Sequence, residues 1–358
     1  MSLQFAYWAP NVSGGLVISN IEQRTGWSFE DNKRYAQVAE EAGFDYVLLQ
    51  TRFLASYGAE KQLEATALAA GLASVTSKLN IITAILPGLW HPGVMAKIIS
   101  TIDHISNGRV SVNIVSGWFK GEFQAYGLPW LDHDERYRRS EEFIQVLREL
   151  WTKEIANYQG DFYRIHDAPL KPKPVTQPLV FQGGNSIAAK EMASRVSDVY
   201  FMNGNSIENI KQQIDEVREL AKLQGRTVKF GVNGFVIVRE TEQEAQQVLR
   251  DIIAHADDEA VEGFKSQVKF AGKASPQGNG MWANSSFEDL VQYNDGFRTK
   301  LIGTAEQVAD RIIELKKVGV DIVLTGFLHY EEEIQAFGEQ VLPLVRKKEE
   351  QLSKAAIR

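Results

Sequence analysis

Short apolar runs alternate with longer amphipathic stretches along almost the whole chain, and this alternation predicts its architecture. Residues 4–8, 46–49, 79–86 and 110–114 are nearly continuously apolar, as strands buried on both faces are. Between them, residues 28–42, 60–77 and 95–106 carry apolar positions at helical spacing, with Gly43 and Asn107-Gly108 as stop signals. A long amphipathic helix is predicted over 134–151, followed by a hairpin-like excursion at 157–178. The rhythm then resumes, with strands predicted at 179–182, 198–203, 228–238 and 321–325. Helices are expected at 186–196, 207–224, from Thr241 onward, at 305–318 and at 331–346. Eight strands interleaved with helices predict an α/β fold, one (β/α)8 TIM barrel with insertions, as a single domain over residues 1–358. Residues 257–300 break the pattern, concentrating Gly, Pro, Ser and Asn between Gly272 and Ser286, and are expected to form a long loop or lid.

Composition narrows the function classes. The chain has 358 residues, 44% hydrophobic and 24% charged, as a soluble globular protein does. A net charge of −7 without any basic run argues against nucleic acid or an anionic membrane as partner. The absence of cysteine excludes disulfides, thiolate metal sites and a cysteine nucleophile. The N-terminus lacks a charged segment leading into an apolar run, and no apolar run has membrane-spanning length, so a cytoplasmic location is expected. Six histidines are scattered without HxH or HExxH spacing, and no metal site is expected. Dinucleotide-binding, Walker and Gly-x-Ser-x-Gly signatures are also missing.

In such a barrel, chemistry gathers at the C-terminal strand ends. Gln50, Thr51 and Arg52 follow the second strand, and Ser116, Trp118 and Glu122 follow the fourth. Asn113 sits inside that fourth apolar strand, where a polar side chain is costly unless it has a partner. At the fifth strand end, Gln182-Gly183-Gly184-Asn185-Ser186 leads into a helix whose first N–H groups, with the Ser186 hydroxyl, would suit a phosphate. Arg136 and Tyr137 could supply the accompanying cation, although composition alone favours an exposed basic helix start. His133 and His329 read as surface or satisfied histidines. The residues alone therefore indicate a barrel with a phosphate-bearing ligand and leave the reaction open.

Several segments carry a more specific signal: FAYWAPNVSGGLVIS, IEQRTGW, TRFLASYGAE, STIDHISNGRVSVNIVSGWFKGEF, HDERYRRSEEF, KPKP, FQGGNS, WANSSFEDLVQYNDGF and GFLHYEEE. Together they resemble the bacterial luciferase-like, reduced-flavin-dependent monooxygenases along nearly the full length. NVSGGLVIS and the YNDGF region resemble the branch acting on dimethyl sulfone. The resemblance implies FMN, used as FMNH2 from a separate NAD(P)H-dependent FMN reductase, and O2. It implies insertion of one oxygen and C–S cleavage to methanesulfinate and formaldehyde, and a homodimer or homotetramer. It further implies flavin contacts at Gln50, Thr51, Asn113, Glu122, Arg136, Tyr137, Gly184 and Ser186, with Arg136, Tyr137 and Ser186 on the phosphate and Glu122 orienting the Arg136 loop. No catalytic acid or base is assigned. Alkanesulfonate enzymes of the family resemble the strand-seven segment FGVNGFVIVRE but carry Arg and His where this chain has Asn233 and Phe235. That exchange suits a small neutral organosulfur substrate, with Asn233 donating to a sulfone oxygen and Phe235, Trp8 and Phe53 narrowing the pocket. An alkanesulfonate or pyrimidine-type monooxygenase, and a flavin-binding or storage protein, are the alternatives.

Overall fold

The computed structural model describes residues 2–276, 278 and 280–356. Eight parallel strands close into a barrel, in chain order: Gln4–Ala9, Tyr46–Leu49, Asn80–Ile85, Val110–Ile114, Val180–Gly183, Val199–Met202, Lys229–Phe235 and Ile322–Gly326. They are called the first to eighth strands below. The eighth pairs with the first, Gln4 opposite Ile322 and Tyr7 opposite Thr325, so no edge is left open.

Side-chain alternation divides the barrel into two cores. Ala6, Tyr46, Leu48, Ile82, Phe181 and Leu324 belong to the cluster inside it, with Trp8 packed against them. The other parity, such as Phe5, Val47, Ile81, Val112 and Val180, belongs to the larger cluster shared with the helices. Gly231 leaves room inside: a Cβ there would lie 2.1 Å from the Phe201 ring. The helices start and stop as their local sequence dictates. Ser28, Thr241 and Thr304 form capping boxes with Asp31, Glu244 and Gln307, and Gly43 closes the first helix at φ 91°.

Three sequence expectations shift. The helix expected over 60–77 is Ala65–Val75, because the Glu64 carboxylate caps it by accepting from the N–H groups of Thr66 and Ala67. The strand expected over 228–238 leaves the barrel at Val236, and Ile237–Val238 pairs instead with Ile302–Gly303. Residues 257–300 are not a structureless loop. They begin with helix Asp258–Lys273, capped by Asp257, whose Val261, Phe264 and Val268 are buried at i, i+3 and i+7. Gln277 and Asn279 of the expected lid lie outside the described residues. The hairpin expected at 157–178 is present as Ala156–Gln159 against Arg164–Ala168.

Candidate functional site

A cavity opens at the C-terminal ends of the strands. Its floor is the top inward-facing layer: Trp8, Gln50, Asn113, Asn203 and Asn233. Asn113 reaches this layer by parity. Val110, Val112 and Ile114 face the helices, so Ser111 and Asn113 face inward, with Asn113 opposite Ala84 and Phe181.

One corner is built for an anion. Helix Ile187–Val196 starts there, with Ser186 as its N-cap accepting from the Ala189 N–H at 3.3 Å. The Ser186 hydroxyl also hydrogen-bonds Tyr137. Gly184 makes the contact possible: its φ is +142°, and a Cβ would lie 2.8 Å from the Tyr137 hydroxyl and 2.5 Å from Ala189 Cβ. Arg136, only 3% exposed, lies over the Trp130 ring at 4.1 Å and donates from Nη1 to the Leu131 carbonyl, while its Nε has no partner. Burial pulls this guanidinium below its usual pKa and raises Tyr137 above its own. His133 also lines this corner, with its ring 5.1 Å from that of Tyr137.

The opposite wall holds a second cation. Arg52 stacks on Trp118 at 4.2 Å and on Phe119 at 5.0 Å, and its Nη2 donates to Ser56 Oγ at 3.0 Å. Its Nε and Nη1 are buried without partners, as are Thr51 Oγ1, Asn113 Oδ1 and Ser116 Oγ. Burial lowers the Arg52 pKa, with Glu122 acting in the opposite sense.

An aromatic roof closes over this wall. Trp118 meets Phe264 and Trp282, each at 5.7 Å, and Phe264 meets Tyr293 at 5.4 Å and Tyr57 at 5.7 Å. Trp282 Nε1 donates to the Tyr293 carbonyl at 2.8 Å, and the Tyr293 hydroxyl donates to the Tyr57 carbonyl at 2.9 Å. Trp282 holds φ at 61°, a left-handed conformation disfavoured for a bulky side chain. Burial raises the Tyr293 phenol to about 12.

The structure gathers Gln50, Thr51, Asn113, Arg136, Tyr137, Ser186, Asn233 and Trp8 around one cavity. Gly184 stands directly behind it, shaping the anion corner. Glu122 is different. It is 2% exposed, and its carboxylate accepts from the backbone N–H groups of Phe53 and Leu54. It therefore fixes the loop carrying Arg52, rather than the Arg136 loop. Phe53 does not line the cavity either, since its ring packs on Trp90 and Tyr126. Phe235 is a core residue packed edge-on against Phe297 at 5.3 Å. Asn233 has no N–H to spare: Nδ2 donates to Gln292 Oε1 and the Asn294 carbonyl, and Oδ1 accepts from Trp8 Nε1 at 2.6 Å. It orients Trp8 and joins the lid to the barrel instead of donating to a ligand. The roof residues Phe264, Trp282 and Tyr293 and the side chain of His133 were not among the expected site residues. For Phe264 the readable signal was the helical spacing of Val261, Phe264 and Val268.

The luciferase-like monooxygenase family model matches residues 3–322. The chain is 59% identical over 351 residues to the FMNH2-dependent dimethylsulfone monooxygenase of Pseudomonas putida, covering 98% of this chain and 97% of that one. It is also 59% identical over 348 residues to the enzyme of the same name from Pseudomonas fluorescens (strain Pf0-1), covering 97% and 96%. Among solved structures, riboflavin lyase with modified FMN and substrate riboflavin shares the fold, with a TM-score of 0.85 at 21% identity over 97% of this chain and 92% of that one.

Proposed function

This chain belongs to the luciferase-like monooxygenase family, and on that premise we propose that it is an FMNH2-dependent monooxygenase converting dimethyl sulfone to methanesulfinate and formaldehyde. The observation that carries the reading is the 59% identity, sustained over 98% of the chain, to a dimethylsulfone monooxygenase. The overall balance is dimethyl sulfone, O2 and FMNH2 to methanesulfinic acid, formaldehyde, FMN and water.

The residues present fit FMN. Buried polar atoms left without partners cost about 1–3 kcal/mol each, and several of them line this one cavity: Thr51 Oγ1, Asn113 Oδ1, Ser116 Oγ and Arg136 Nε. Arg136, Tyr137, Ser186 and the N–H groups opening helix Ile187–Val196 would hold the phosphate. Gln50, Thr51 and Asn113 would meet the ring. Bound there, reduced FMN supplies the activation of O2. The protein's share would be position and dryness: Asn113 would offer its amide to the ring's polar edge, and the Trp118, Phe264, Trp282 and Tyr293 rings would keep water from it.

In this reading the flavin arrives already reduced from a separate NAD(P)H-dependent FMN reductase, in the cytoplasm, as a step of sulfur metabolism. Exposed Val94, Ile105, Ile155 and Val175 offer apolar surface for the homodimer or homotetramer we expect. Among the described residues, no helix is long and apolar enough to cross a membrane. The test is turnover with FMNH2 and O2 of a panel comprising dimethyl sulfone, methanesulfonate, longer alkanesulfonates and uracil. Methanesulfinate from dimethyl sulfone, and little turnover of the others, is expected. Flavin binding with no turnover of any of them would overturn the assignment.

A further inference from the structure

The cavity is cationic. Arg52 and Arg136 both line it, and no Asp or Glu does among the described residues, although the whole chain carries a net charge of −7. One guanidinium is accounted for by the phosphate corner. The other makes no ion pair among the described residues: the nearby Glu122 carboxylate favours its charge but accepts from the Phe53 and Leu54 N–H groups. Arg52 donates one hydrogen bond, to Ser56, leaving its buried Nε and Nη1 without an acceptor. A desolvated cation with unmade hydrogen bonds is held at a cost. Here it is held deliberately, stacked between Ser56 and the rings of Trp118 and Phe119. Its loop is pinned from behind by Glu122 through the Phe53 and Leu54 N–H groups.

Building on the proposed function, we infer that Arg52 is the specificity-determining residue that receives the sulfonyl oxygens of the substrate and the sulfinate oxygens of the product. Dimethyl sulfone presents two neutral acceptor oxygens on sulfur. Once one methyl carbon carries the inserted oxygen as a hydroxyl, that O–H gives its proton to solvent, the C=O of formaldehyde forms, and the C–S electron pair stays with sulfur. The resulting methanesulfinate spreads a full negative charge over those same oxygens. A guanidinium facing them binds the charged form more strongly than the neutral one, and so favours the cleavage it accompanies. The positive charge facing the substrate thus comes from the loop after the second strand, while Asn233 on the seventh is occupied in orienting Trp8. Product inhibition is the corollary. Methanesulfinate competes with dimethyl sulfone, and other small sulfinates and carboxylates bind where neutral isosteres of the same size do not.

The experiment measures methanesulfinate binding to the purified protein with oxidised FMN present, by titration calorimetry, for the wild type, Arg52→Met, Arg52→Lys and Ser56→Ala. A charge-assisted hydrogen bond contributes about 1.5–3 kcal/mol, or about 10- to 150-fold. Arg52→Met is expected to weaken methanesulfinate by that factor, and Arg52→Lys, which keeps the charge, to recover part of it. Ser56→Ala should weaken binding a few-fold by freeing the guanidinium. In turnover, the inhibition constant for methanesulfinate should rise more than KM for dimethyl sulfone. Affinity for oxidised FMN, and for reduced FMN measured without oxygen, should change less than threefold. Unchanged methanesulfinate affinity in Arg52→Met overturns the inference, as does a parallel loss of reduced FMN, which would assign Arg52 to the flavin ring. If Arg52→Met does not fold, the Lys and Ala variants decide it: wild-type methanesulfinate affinity in both Arg52→Lys and Ser56→Ala overturns the inference, and weakened affinity in both supports it. The assigned reaction is tested separately, by methanesulfinate formation in the wild type, so failure of one is not mistaken for failure of the other.

Discussion

Replacing Asn113 with leucine should move two properties in opposite directions. In the cavity floor, Asn113 Oδ1 is buried without a hydrogen-bond partner, and leucine is similar in volume and suited to a strand flanked by Ala84 and Phe181. Removing an unsatisfied buried acceptor relieves about 1 kcal/mol or more. The variant without flavin should therefore keep its Tm or gain roughly 2 °C or less, given the large unfolding entropy of a chain this size. Flavin binding runs the other way. The lost hydrogen bond removes about 1 kcal/mol, and the polar ring atom left facing leucine costs about 1–3 kcal/mol more. Together these predict FMN binding weakened by about 10-fold or more. Differential scanning fluorimetry on the flavin-free protein and quenching of FMN fluorescence give the two numbers. A substantial fall in Tm with unchanged FMN affinity would refute the reasoning, making Asn113 a structural residue whose partner is the fold.

Other sites give sharper chemical readouts. Arg136→Met should weaken FMN by about 10- to 150-fold while changing riboflavin less than threefold, because only FMN brings a phosphate to that corner; equal losses would place Arg136 elsewhere. Trp282→Ala removes ring contacts to Trp118 and Phe264 and should raise hydrogen peroxide released per flavin oxidised several-fold, without large loss of FMN affinity; unchanged coupling would show that the roof does not keep the site dry. Asp295 accepts from Asn203 Nδ2 at 3.0 Å, and burial, opposed by that hydrogen bond and by Arg298 and reinforced by Asp289, raises its carboxyl to about 6. A raised carboxyl pKa means that the folded state holds the proton more tightly than the unfolded state. The contribution is therefore complete below about pH 4 and is lost as pH rises through about 6. Proteolysis within residues 257–300 should then be slower at pH 5 than at pH 7.5 after correction for protease activity, and Asp295→Asn should flatten that difference.

The barrel was legible because its strands are buried on both faces and its helices are capped locally, both of which leave a short-range pattern. Asn113 was legible for the same reason: once Val110, Val112 and Ile114 are assigned to one face, parity sends it to the other. Phe235 packs in the core against Phe297 because the chain leaves the barrel after it, Ile237–Val238 pairing with Ile302–Gly303, and nothing in FGVNGFVIVRE marks that departure. The Asn233 amide was assigned to a ligand because its real acceptors, Gln292 and Asn294, lie some sixty positions away. Glu122 was placed near the site but against the wrong loop, since a carboxylate's backbone partners cannot be read from spacing. Arg52 stood among the polar groups after the second strand. Its importance rests on what surrounds it, a guanidinium with unmade hydrogen bonds stacked on Trp118 and Phe119, and burial of that kind is a tertiary fact.

The aromatic roof is assembled from parts of the chain that the barrel itself holds far apart. Tyr57, Trp118, Phe264, Trp282 and Tyr293 arrive on three separate excursions, and isolated bridges tie the first loop to them at Val12–Gln62, Val17–Gln292 and Ser19–Ala256. Such an arrangement does not fray from one end, because each ring is held by partners on other segments. Opening is then expected as a concerted event, with the excursions releasing together or staying shut. The roof is nevertheless tied to the barrel through Asn233, which bonds Gln292 and Asn294, and through Asn203, which bonds Asp295, so a substitution in one is felt in the other.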